Sequence, residues 1–214
     1  MVCFLLEIIR TRLKILIQYM KVKKLIGKKC YLSPINVEDY DQYYQWLNQS
    51  ETTIYLSIFH EIITRHREKD LLDKLIRTEN GNYMMAIVEN KTDKLLGNCG
   101  LLNVDHINRN AEFGIFIGEK ENRDKGIGEE ATRLILDFGF NAINLNHIWL
   151  RVFTFNKGAI GLYKKIGFKV IGTKRESRII GQNKIDELLM DILPHELESP
   201  YIIPLFNRAK KKFE

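Results

Sequence analysis

Apolar residues along this chain recur in two rhythms, and each change of rhythm marks an element. Spacing near 3.6 residues marks one face of a helix; a short apolar or alternating run between turn residues marks a strand. Lys29–Pro34 reads as a strand, and Asn36 can cap a helix running from about Val37 to Trp46. A polar, irregular stretch from Asn48 to Thr53 follows. His66–Arg77 sets Leu71, Leu72, Leu75 and Ile76 on one face, a second helix stopped at Asn80-Gly81. Tyr83–Glu89 and Leu95–Asp105 are strand-like runs around the turn Asn90-Lys-Thr-Asp93. Ala111–Ile117 alternates in part and is read as a strand. Ile127, Ala131, Leu134, Ile135 and Phe138 then share one helical face. A strand over Ile148–Phe153, a helix over Lys157–Ile166 and a strand over Phe168–Thr173 come next. A last hairpin turns through Gly181-Gln-Asn183 into Ile185–Leu193. The order βααβββαβαββ predicts an α/β sandwich around one mixed sheet.

The first twenty residues carry apolar positions broken by Glu7, Arg10, Arg12 and Lys14, so no uninterrupted run there is long enough to span a bilayer. Glu7, Arg10, Lys14, Gln18 and Lys21 fall at helical spacing, which fits an amphipathic helix. A secretory leader fits poorly, because the positive charge follows the apolar part and no small-residue cleavage site appears. Translation from Met20 is the simpler expectation. The organisation expected is an extension over 1–27, one domain over 28–195 and a basic tail over 196–214.

A length of 214 residues suits one domain with arms, and the net charge of +6 is spread along the chain, with small clusters at Lys21–Lys29 and Arg208–Lys212. These clusters read as solvated termini; no aromatic-basic recognition motif accompanies them, so no stable nucleic-acid partner is expected. The three cysteines, Cys3, Cys30 and Cys99, are odd in number and lack ligand spacing, which points to reduced thiols and a cytoplasmic protein. The five histidines form no metal-ligand pattern, and no metal is expected.

Candidate chemistry centres on Glu121-Asn-Arg-Asp-Lys-Gly-Ile-Gly-Glu-Glu130, between an apolar strand and an amphipathic helix. The first amides of a helix have no intrahelical acceptor, and the helix dipole adds roughly half a positive charge there. Gly126 and Gly128 allow close approach of the backbone to a ligand. Residues 123–128 therefore read as a pyrophosphate cradle, although neither the dinucleotide fingerprint nor the ATP-binding loop is present.

The pattern Arg123-x-x-Gly126-x-Gly128 resembles the coenzyme A loop of the GNAT superfamily of N-acetyltransferases. About thirty residues on, Asn156-Lys-Gly-Ala159-Ile-Gly-Leu-Tyr163-Lys-Lys-Ile-Gly167-Phe168 resembles the second hallmark of that family. The resemblance covers roughly residues 28–195 and is nearest in style to the branch with ribosomal-protein N-terminal acetyltransferases (RimJ/RimL type) and spermidine acetyltransferase. The run Arg109-Asn-Ala-Glu112-Phe113 supports that placement, as does the closing Glu187-Leu-Leu-Met-Asp-Ile-Leu193.

The resemblance implies a GNAT fold, with a mostly antiparallel central sheet flanked by helices, and acetyl-CoA as co-substrate for an amine acceptor. By the same resemblance, amides of Ile115, Phe116 and Ile117 on a splayed strand serve the thioester region. Amides of Arg123, Asp124, Lys125, Gly126, Ile127 and Gly128 take the pyrophosphate, with charge from Arg123 or Lys125. Asn156 and Ala159 lie along the pantetheine region, and Tyr163 faces the coenzyme sulfur as general acid. Glu112 is the candidate base, directly or through a water; it reads equally as a strand-edge carboxylate paired with Arg109. His106 is a second candidate.

The acceptor is expected between residues 48–64 and the last hairpin, 175–184. Glu61 is the sole acid in Ser57–Arg67, and Arg175 and Arg178 line the hairpin, which disfavours a polyamine. Protein N-terminal amines, amino sugars and small amines stay open, as does a homodimer. An inactive acyl-CoA-binding sensor and a basic nucleic-acid or ribosome-binding module are the rival classes.

Overall fold

The computed structural model describes residues 21–76 and 81–212, so the expectations placed on residues 1–20 and on the helix stop at 77–80 lie outside the described residues. Eight strands form one sheet: β1 (Leu25–Ile26), β2 (Cys30–Pro34), β3 (Tyr83–Glu89), β4 (Leu95–Asp105), β5 (Asn110–Ile117), β6 (His147–Phe153), β7 (Lys169–Ile180) and β8 (Asn183–Ile192). Their order across the sheet is β1-β2-β3-β4-β5-β6-β8-β7, and every pair is antiparallel except β5 with β6. A parallel neighbour needs a crossover, and helix α4 (Ile127–Asn141) supplies it. This is a mixed α/β sandwich, as the hydrophobic pattern predicts.

Helices cover both faces. On one face lie α1 (Tyr40–Leu47), α2 (Ser50–Thr53) and α3 (Arg65–Ile76), packed over a core of Tyr31, Ile35, Tyr43, Trp46, Leu72, Ala86 and Val88. On the other lie α4, α5 (Lys157–Ile166) and α6 (Ile202–Lys210), over a larger core that includes Ile127, Ala131, Leu134, Ile135 and Tyr163. Four of the five residues assigned to the α4 face are fully buried, and Phe138 is partly so. Each buried leucine or isoleucine among them contributes roughly 1.5–3 kcal/mol by leaving water.

Several boundaries differ from the sequence reading. Val37–Asp39 is a 3-10 turn before α1, and Asn36 makes no side-chain cap bond to it. The polar stretch at 48–53 contains α2, whose buried Thr52 donates to Gly118 O at 3.2 Å. Strand β7 continues seven residues past Thr173, to Ile180. The segment read as a basic tail contains α6, held to the domain by the fully buried Asp137 of α4. The Asp137 carboxylate accepts from Ser199 Oγ (2.6 Å), Tyr201 N and Ile202 N (2.8 Å each) and Asn141 Nδ2 (2.8 Å), and so caps α6 from outside its own sequence.

Candidate active site

The loop between β5 and α4 is shaped by its backbone. Asp124 and Gly126 adopt left-handed conformations, with φ of +58° and +77°. Gly126 is the N-cap of α4, a conformation that favours glycine, and a Cβ there would stand 2.6 Å from Lys29 Nζ. That ammonium donates to Lys125 O at 2.6 Å. The first helical bond, Glu130 N to Gly126 O at 3.2 Å, leaves the amides of Ile127, Gly128 and Glu129 without an acceptor inside the helix. Glu130 in turn accepts from the amides of Lys28, Lys29 and Cys30 at 2.7, 2.7 and 2.9 Å, which ties α4 to the β1–β2 turn. Gly128 has ordinary room for a Cβ, 3.7 Å from Leu162 Cδ2, so internal packing does not demand a glycine there. Together these features make an amide-rich anion cradle.

Arg123 is used differently from the expectation for its side chain. Its guanidinium lies over the Tyr55 ring at 5.8 Å and donates to Ile117 O at 3.3 Å and, at the limit, to Thr52 Oγ1 at 3.5 Å. It thus braces α2 against the end of β5. Lys125 and Asp124 are exposed beside the amides.

Next to the cradle the sheet opens. Strands β5 and β6 pair over three residues, Asn110↔His147, Ala111↔Ile148 and Glu112↔Trp149, and then part. Gly118 N donates to Leu96 O on β4, and the β4–β5 register is regular from Gly114 to Ile117. By strand alternation the Phe116 amide also faces β4, while the amides of Ile115 and Ile117 face the gap. Of the three amides assigned to the splayed strand, two therefore point where a carbonyl could be met.

Helix α5 closes the gap from the β6 side. Asn156 caps it, its side-chain oxygen accepting from Ala159 N at 3.2 Å, which leaves its amide donors and one lone pair of that oxygen for a ligand. Gly167, at φ +127°, ends the helix. Between those ends Tyr163 is buried, edge-on to Phe113 at 6.1 Å and beside Phe168 at 5.7 Å. Burial alone pushes its hydroxyl up to about 12, so it remains a proton donor across the neutral range.

A cavity of about 320 Å³ fills the opening. Tyr163 and Glu112 both line it, with Arg151, Glu187 and the apolar Leu56, Met84, Leu102, Phe113, Phe116, Val152 and Phe153. Tyr55 and Ser57 complete one wall from the loop after α2, the side on which the acceptor is expected. Glu112 is an ion-paired carboxylate, but its partner is Arg151 on the neighbouring strand, at 2.8 Å from Nη2 and 2.9 Å from Nε. Arg109 instead donates to Asn144 O at 2.6 Å and Asn144 Oδ1 at 3.0 Å. His106 sits exposed in the β4–β5 turn, edge-on to Tyr83, and does not line the cavity. Glu187, by contrast, lines the cavity without any sequence motif to mark it for chemistry. It is 3% exposed and lies opposite Phe153 in the β6–β8 ladder. No hydrophobic period marks it, because it falls on the other face of β8 from Met190 and Ile192.

The amide turn at the start of α4 adjoins the parted strands and α5, since a Cβ on Gly128 would lie 4.0 Å from Ile115 Cδ1 and 3.7 Å from Leu162 Cδ2, one residue from Tyr163. The family model described as "Acetyltransferase (GNAT) domain" matches residues 29–169. The chain belongs to the GNAT acetyltransferases. This acetyltransferase is 30% identical over 174 residues to spermidine N(1)-acetyltransferase of Escherichia coli (strain K12), covering 81% of this chain and 90% of that protein. It is 27% identical over 177 residues to the uncharacterized N-acetyltransferase p20 of Bacillus licheniformis, covering 82% and 98%. The crystal structure of spermidine N-acetyltransferase from Vibrio cholerae in complex with CoA and spermine superposes with a TM-score of 0.72 at 25% identity, covering 79% and 98%. The protein is an acetyl-CoA-dependent N-acetyltransferase, with acetyl-CoA as co-substrate. Among the described residues, no helix is long and apolar enough to cross a membrane, and no three metal-ligating side chains cluster.

Proposed function

We propose that this acetyltransferase moves an acetyl group from acetyl-CoA to a single primary amine by direct attack, with Tyr163 as general acid. The observation that carries the reading is the placement of the buried Tyr163 hydroxyl donor in the mouth where β5 and β6 part, beside a cradle of unpaired amides. The acetyl-CoA pyrophosphate lies on the amides from Asp124 to Gly128, since the Arg123 amide is taken by Lys120 O at 3.0 Å. The thioester oxygen is met by the gap-facing amides of Ile115 and Ile117, where negative charge grows as the amine adds. Asn156 and Ala159 flank the pantetheine arm. The amine nitrogen bonds to the carbonyl carbon, the carbon–sulfur bond breaks, and the sulfur receives a proton from Tyr163. Glu112, directly or through a water, takes the proton that the amine sheds, and solvent resets both groups.

The acceptor is a small amine or a peptide N-terminus that presents one cation. Two carboxylates line the cavity, and an arginine accompanies each: Arg151 for Glu112 and Arg178 for Glu187. A polycation entering the cavity would meet Arg151 and the apolar floor. A polyamine acceptor is the second reading, favoured by the names of the relatives at 30% and 25% identity.

Thiol release from acetyl-CoA across polyamines, alkylamines, amino sugars, amino acids and short peptides tests both readings, with Tyr163→Phe beside the wild type. Turnover with one amine class is expected, with kcat lowered about a hundredfold in the variant and KM for acetyl-CoA within about twofold. An unchanged kcat would take Tyr163 out of the mechanism.

A further inference from the structure

Glu187 is a charged group in an unusual condition. Its side chain is 3% exposed, it borders the cavity that Tyr163 also borders, and it is incompletely coordinated. Ser177 Oγ donates to it at 2.9 Å. Arg178 Nε stands 3.5 Å away, beyond hydrogen-bond geometry, and that buried Nε has no hydrogen-bond partner among the described residues. A carboxylate offers about four lone-pair sites, and leaving them unfilled in a buried place is costly. The guanidinium is no better served, since Nη2 reaches only Ser57 Oγ, at 3.4 Å.

The local backbone is built to produce this pair. The β7–β8 register breaks between Lys174 and Arg178, and within the break Glu176 is left-handed, with φ +49°. Asp186 Oδ1 holds that turn by accepting from Glu176 N at 2.7 Å. A bulge re-aims the side chains that follow it. Here those are Ser177 and Arg178, both directed at Glu187, and Arg178 also bridges to the loop carrying Ser57.

We propose that Glu187 is the seat for the ammonium group of the acceptor, and that Arg178 is an internal cation displaced when the acceptor arrives. This rests on the acetyl-transfer reading above. A loose pair is the arrangement such an exchange requires: little hydrogen bonding is lost when Arg178 leaves, and an ammonium with three donors fills the vacant lone pairs. Arg178 retains access to solvent, with its side chain 37% exposed, so it can withdraw without burying its charge. Glu187 positions the amine; its ammonium first loses one proton to solvent, which frees the lone pair for attack, and Glu112 takes the second once the nitrogen has added. The apolar remainder of the cavity then selects amines with one cationic end and an apolar arm.

The test uses the full chain with acetyl-CoA, taking n-hexylamine as the monocation and spermidine as the polycation, with Glu187→Gln and Arg178→Ala. Glu187→Gln is expected to raise KM for n-hexylamine about tenfold and leave KM for acetyl-CoA unchanged. Arg178→Ala, which removes the competing cation, is expected to lower the amine KM severalfold. Opposite movement of the same constant is what a merely structural ion pair would not give. If Glu187→Gln does not fold, Arg178→Ala decides alone, and an unchanged or raised amine KM overturns the proposal. Wild-type turnover with an amine KM unmoved by both substitutions overturns the acceptor seat only. Bound acetyl-CoA with no thiol release for any amine overturns the acetyl-transfer reading and this one with it.

Discussion

Tyr163 owes its proton to burial. No charge contributes to the rise of its pKa to about 12, and the hydroxyl is packed among Phe113 and Phe168. A general acid works only while protonated, so raising its pKa above the ordinary ~10 extends activity to higher pH. We therefore expect kcat to show no falling limb between about pH 9 and 10.5; a limb centred near 10 would mean an ordinary, solvated phenol. The same weakness as an acid shapes its role. In the proposed mechanism a donor near 12 would hydrogen-bond the sulfur as charge develops and give up its proton only late, because a thiolate whose own pKa is about 8.5 draws it weakly. At this scale the sequence was partly legible. Tyr163, Gly126 and Asn156 stand in spaced motifs, and spacing survives in one dimension. The partner of Glu112 does not: Arg151 is placed by a parallel register thirty-nine residues away, whereas Arg109 is merely nearby in the chain. Glu187 was equally hidden, because nothing local distinguishes an inward glutamate from a solvated one.

Elements come next, and the turn into α4 is the most constrained of them. Gly126→Ala would push a methyl to 2.6 Å from Lys29 Nζ in a left-handed backbone, while Gly128 has room. Two outcomes separate the two glycines. Gly126→Ala should lower thermal stability by about 1 kcal/mol or more, as alanine is disfavoured where φ is positive. Gly128→Glu should leave the fold intact and abolish acetyl-CoA binding in titration calorimetry, by bulk and by like charge against the phosphates. Retained binding in Gly128→Glu would move the cradle elsewhere. Helix Lys157–Ile166 and strands Tyr83–Glu89 and Leu95–Asp105 stand where their patterns put them, since buried faces impose clear periods. The far half of β7 was missed because Lys174–Ser177 is polar and bulged, with no buried face to betray it. Helix α6 was missed for a related reason: its N-terminus is capped by Asp137, sixty-odd residues earlier.

Across the whole molecule that carboxylate fastens the end of the chain to α4. Asp137→Ala would strand two amides of α6 and the Ser199 hydroxyl, a loss of about 2–4 kcal/mol. For a chain of this size that is a fall of about 5–15 °C in Tm, readable by calorimetry, with faster proteolysis after residue 197. An unchanged Tm would mean that α6 adds nothing to the domain. The sheet itself carries a larger consequence. Along the sheet, β1–β5 and β6–β8 are joined by three residue pairs and then diverge, while one hydrophobic core continues beneath both halves. The amide turn is tied to the first half, where Glu130 and Lys29 fasten it to the β1–β2 turn and to β2. Asn156, Tyr163 and Glu187 belong to the second half, on α5 and β8. On the proposed function, acetyl-CoA would therefore span the parting, with its pyrophosphate on one half and its pantetheine arm on the other, and its binding would fix the spacing between them.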